Sequence, residues 1–148
     1  MQNTKRSALL SLACVYGIAL VFAGVEIAAP WLVNWYLAVA GKGIVLRPLL
    51  LGFIYGALLP GGYALYLLQR MLRAIVRGNC FCAQNVSALR RLSWCAALLA
   101  VVSFVPGIWY LPFLFIAVAA AFMALLLRVI KNAFQSALEL QTENEMTI

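Results

Sequence analysis

Residues 8–29 read ALLSLACVYGIALVFAGVEIAA, and Glu26 is the one acidic residue among them. About 20 apolar residues wound as an α-helix rise about 30 Å, which is the thickness of a bilayer's hydrocarbon core. Lys5 and Arg6 stand in front of the run, as basic residues do in a secretory leader. A leader's apolar stretch reaches only about 7–15 residues, however. The run is therefore expected to be an uncleaved first membrane span.

Working outward, Pro30 is expected to end that helix. Trp31, Trp35 and Tyr36 follow it as amphipathic rings suited to the headgroup level. Gly41, Lys42 and Gly43 then read as a turn or short re-entrant stretch. A second span is expected over 48–68, kinked or locally unwound at Pro60-Gly61-Gly62. Arg70, Arg73 and Arg77 continue it at helical spacing until Gly78 stops it. Gln84, Asn85 and Ser87 are candidate N-caps for the next helix. The third span is placed at 92–106, followed by a tight turn at Pro106-Gly107 and an anchor at Trp109 and Tyr110. The fourth is placed at 111–130, and 131–148 is the one polar terminus. The expected fold is all-α: a single-domain, polytopic four-transmembrane-helix bundle over 1–148, with a cytoplasmic loop at 69–91 and a cytoplasmic tail at 131–148.

Composition agrees with this reading. The 148 residues are 66% hydrophobic and 10% charged, against about 45–50% and about 25% in a soluble domain. Lys5, Arg6, Arg70, Arg73, Arg77, Arg90, Arg91, Arg128 and Lys131 fall on one side of the spans, and Lys42 and Arg47 on the other. The positive-inside rule puts the crowded side, with both termini, in the cytoplasm. These cations flank helix ends, so the net charge of +7 points to a lipid bilayer as the partner and not to direct nucleic acid binding.

Candidate chemistry is sparse. Histidine is absent, which removes the commonest general base and metal ligand. Cys14, Cys80, Cys82 and Cys95 are expected to stay reduced on a cytoplasmic reading. Cys80-Phe81-Cys82 lacks the spacing and the partners of a metal site, so no metal and no cofactor are expected. Glu26 is a candidate intramembrane polar group, expected either to reach headgroup water near the outer end of its span or to pair with Lys42 or Arg47. Gly52-xxx-Gly56 and the series Ala117, Ala121, Ala124 permit close helix approach. That approach is expected within one bundle, with a homo-oligomer interface as the alternative. Glu139, Glu143 and Glu145 suggest either a solvated helix end or a weak electrostatic latch against the Arg70–Arg91 region. No nucleophile–base pair, phosphate loop or carboxylate pair is visible, and an enzyme is not expected.

Two stretches carry a resemblance. Residues 77–92 include Gly78, Phe81, Asn85, Leu89 and Arg90 in the pattern G-x-x-F-x-x-x-N-x-x-x-L-R. The end of the chain carries Leu140, Gln141, Glu143, Asn144, Glu145, Thr147 and Ile148 in the pattern L-Q-x-E-N-D/E-x-T-I. Both resemble the bacterial four-span membrane protein family known as domain of unknown function 2975, over essentially the whole chain. Cys80 departs from the family, whose members often carry Pro or another residue there. Members similar to this chain are often encoded beside a small helix-turn-helix regulator. The resemblance therefore implies a non-enzymatic membrane protein that holds a cytoplasmic transcriptional regulator. Candidate docking or latch residues are Arg77, Phe81, Asn85, Arg90, Arg91, Gln141, Glu143, Asn144 and Glu145. The alternative is a small transporter or channel-like bundle.

Overall fold

Each apolar run folds as one α-helix, and each helix outruns its apolar stretch. In the computed structural model, which describes residues 2–78 and 82–147, α1 (Gln2–Ala40) is followed by a 3-10 turn (Ile44–Leu46). Then come α2 (Arg47–Val76), α3 (Ala83–Gly107) and α4 (Leu111–Met146). No strand occurs among the described residues. All four helices are long and apolar enough to cross a membrane.

The boundaries differ from the expected ones for identifiable reasons. Pro30 does not end α1, which continues to Ala40 with Trp31, Trp35 and Tyr36 on the helix. Hydrocarbon offers no other partner for freed backbone groups, so the surrounding turns keep their own hydrogen bonds and the helix runs through the proline. Likewise α2 passes Pro60-Gly61-Gly62 without unwinding. Helix α1 stops where Gly41 adopts a left-handed φ of 61°, a conformation that glycine enters without a Cβ clash. Pro48 and Pro112 sit in the first turns of α2 and α4, where a missing N–H costs nothing. Helix α3 begins earlier than expected. Its N-cap is Cys82, extended and without a side-chain capping bond, so Gln84, Asn85 and Ser87 lie inside the helix and not at its cap. Pro106 and Gly107 close the last turn of α3, and the chain reverses over residues 108–110.

Helices pack against their chain neighbours, most extensively α3 on α4. Their registers are antiparallel. Arg73 near the end of α2 reaches Tyr16 in the first half of α1. Arg91 Nη1 donates to the Tyr63 hydroxyl at 3.2 Å across α2 and α3. Ser93 Oγ donates to the Ala124 carbonyl at 3.0 Å across α3 and α4. The chain thus returns to the end of the bundle where it began, and the α2–α3 connection lies at that same end.

Close approach is set by glycines, only in part by those singled out above. A Cβ on Gly56 would meet Val102 of α3 at 3.3 Å, whereas one on Gly52 would meet nothing within 4 Å. The tightest backbone contact is at Gly107, where a Cβ would lie 3.0 Å from the Leu114 amide nitrogen. Backbone cannot swing aside as a side-chain tip can. Gly107→Ala is therefore expected to cost about 1–3 kcal/mol, read as a lowered melting temperature in detergent, while Gly52→Ala leaves it unchanged. Equal shifts for the two variants would contradict this packing.

Candidate functional site

The polar end of the bundle is built by the last turns of α2, the first turns of α3 and the extension of α4. Arg70, Arg73 and Arg77 recur at i, i+3 and i+7, so they share one face of α2. With Tyr66, Gln69, Cys82 and Gln84 they line a cleft of about 450 Å³. Two of this end's arginines are held by tyrosine. Arg73 donates to the Tyr16 hydroxyl and places its guanidinium 5.7 Å from that ring's centroid, and Arg91 donates to Tyr63. Each bond ties one helix to the next.

Sequence candidates separate into three places. Asn85 is buried, 2% exposed, as are Leu67 and Leu89. With Arg70 and Arg91 it lines a smaller pocket of about 120 Å³ on the α2–α3 seam. Arg77 is exposed at the mouth of the larger cleft. Arg90, although adjacent to Arg91, belongs to the other side of α3, facing Arg128 and Lys131 of α4. Consecutive residues on a helix point about 100° apart, so the pair divides between two seams. Phe81 and Cys80 lie outside the described residues.

Gln141, Glu143, Asn144 and Glu145 are exposed on the last turns of α4. The Ser93–Ala124 bond sets Ala83 level with about Phe134, so these residues stand roughly 10–17 Å beyond the start of α3. Among the described residues no ion pair joins the tail glutamates to the arginines. Glu139 instead accepts from Gln135 at 3.3 Å.

Glu26 departs most from expectation. Helix α1 continues about 14 residues past it to Ala40, roughly 21 Å, so Glu26 stands in the interior of the helix and not near its end. It lies on the stripe with Ala29, Val33 and Leu37 that α1 turns toward its neighbours. It is 8% exposed, and its Oε2 has no hydrogen-bond partner. Neither expected cation reaches it: Lys42 sits over the Tyr110 ring at 4.0 Å from the centroid. Pro30 also lacks the N–H that would have bonded the Glu26 carbonyl. One turn thus gathers a buried carboxylate and a freed backbone acceptor.

The opposite end holds an aromatic clamp. The hydroxyls of Tyr36 and Tyr110 hydrogen-bond, and Phe113 packs on Phe53 with ring centroids 4.7 Å apart. The sequence marked Tyr36 and Tyr110 only as headgroup anchors, because no local pattern shows that residues 74 positions apart meet.

The family model described as a protein of unknown function (DUF2975) matches residues 4–148, nearly the whole chain. The chain belongs to the DUF2975 family. No curated protein and no solved structure matches it. Gly78, Asn85, Leu89 and Arg90 of the loop stretch and residues 140–147 of the tail thus fall at one end of the bundle, at different heights, with Asn85 buried and the tail residues exposed.

An unpartnered buried carboxylate oxygen costs about 1–3 kcal/mol. Glu26→Met, which keeps the side chain's length without its charge, is expected to stabilise the bundle by that order. A melting temperature that rises in detergent supports the burial described, and one that falls shows that the carboxylate has a partner.

Proposed function

We propose that this chain is a non-enzymatic protein of a bacterial inner membrane that holds a soluble cytoplasmic partner at its polar end. The positive-inside rule supports that orientation. The observation carrying the reading is the unbroken continuation of α4 past Arg128 to Met146. A span needs no ordered helix beyond its flanking charges. These turns carry three of the chain's four acidic residues, Glu139, Glu143 and Glu145, and no described basic side chain pairs with them. Beside them the Arg70–Arg77 cleft offers the opposite sign, so one partner can be gripped by both. A helix-turn-helix regulator suits the strip, because DNA-reading modules present cations to phosphate and acidic residues can occupy that surface. Holding such a partner against the membrane keeps it from DNA.

Affinity capture in detergent with the full chain, and with a chain ending at Lys131, tests this. The full chain is expected to recover a DNA-binding protein, with recovery falling at least tenfold without residues 132–148. Equal recovery from both chains, or none from either, contradicts it.

Glu26 supports a second reading, a small transporter or channel-like bundle, since intramembrane carboxylates commonly mark ion or substrate paths. Proteoliposome flux lost in Glu26→Gln favours it, and flux no greater than in empty vesicles removes it.

A further inference from the structure

Helices α3 and α4 present matching stripes to a common seam. On α3 these are Arg90, Trp94, Ala97 and Ala100. On α4, in reverse order, they are Lys131, Arg128, Ala124 and Ala121. The antiparallel register brings the cations to the same height. Arg90, Arg128 and Lys131 surround a cup of about 320 Å³ with Ser93 and Trp94, and no acidic side chain lines it. Directly below, the four alanines leave an apolar groove of about 420 Å³ that shares Ser93, Trp94 and Arg128 with the cup. From Lys131 to Ala121 the stripe runs about 15 Å, half of a hydrocarbon core about 30 Å thick. The groove itself, from Arg128 to Ala121, runs about 10 Å and stays within one leaflet.

We propose that this seam is a binding site for an anionic phospholipid, its phosphate in the Arg90–Arg128–Lys131 cup and one acyl chain along the alanines. Charge selects the headgroup. A zwitterionic lipid brings its own cation into a cup already holding three, and free phosphate leaves the groove empty. Trp94, 61% exposed, stands at the level where indole rings favour the interface. Basic pockets between spans are a recurrent means of holding acidic headgroups. The site is independent of the Arg70–Arg77 cleft, with which it shares no residue.

Native mass spectrometry of the purified full chain in neutral detergent provides the test, with dioleoyl phosphatidylglycerol, dioleoyl phosphatidylcholine and inorganic phosphate as probes. Phosphatidylglycerol is expected to bind at least tenfold more tightly than phosphatidylcholine. Arg128→Gln with Lys131→Gln should lower that preference by about fivefold per cation. Lys5→Gln with Arg6→Gln removes the same charge from the same end and should leave it intact. Ala121→Leu, at an exposed position, should weaken phosphatidylglycerol binding by filling the groove. Four results overturn the proposal: equal affinity for the two lipids, equal retention of inorganic phosphate, an equal loss in the Lys5/Arg6 variant, or no effect of Ala121→Leu.

Discussion

A backbone amide in hydrocarbon has no water to bond, so a crossing segment must satisfy its own N–H and C=O groups. That requirement organises the rest of this structure. It converts four apolar runs into four unbroken helices and carries α1 and α2 through Pro30 and Pro60. It also explains how so little protein–protein burial suffices: between 6% and 22% of each span's most apolar window is buried within the chain. In water such a molecule would have almost no core. In lipid the acyl chains supply the remainder, and the helices need to meet only along narrow seams fixed by glycine, alanine and a few polar ties.

Length and charge then set depth. Helices of 25 to 39 residues exceed the roughly 20 needed to cross, so the surplus extends past the hydrocarbon. The surplus of α1 projects mainly at the end opposite the basic one, and that of α2, α3 and α4 at the basic end. There the arginines do different things according to helical phase: Arg73 and Arg91 bind tyrosines on neighbouring helices, Arg70 and Arg77 line a cleft, and Arg90 joins Arg128 and Lys131. At the other end Lys42 rests on Tyr110. That contact and the continuation of α1 leave Glu26 alone in the interior.

Fold class, span number and the position of the Arg-rich loop were legible in the sequence, because hydropathy and charge report solvent directly. Helix ends were not. Pro30 and Pro60 carry the same local signal whether a helix stops or continues, and the environment decides. The misplacement of Glu26 followed from the misplaced end of α1. Motif residues were legible as a group but not as an arrangement: the patterns containing Asn85, Arg90 and Glu143 do not reveal that one is buried, one faces α4 and one stands beyond α3. Register between helices, which fixes Tyr16 to Arg73 and Tyr36 to Tyr110, has no local signature at all.

The central claim is that the basic loop and the acidic tail share one side of the membrane, opposite the α1–α2 turn. Labelling of single cysteines by a membrane-impermeant maleimide tests it most directly, in a chain whose native Cys14, Cys80, Cys82 and Cys95 are replaced. On intact spheroplasts a cysteine at position 42 should react at once, while cysteines at 77 and 143 should react only after the membrane is opened. Labelling of 77 and 143 from opposite sides, or of 42 together with either, would contradict the account.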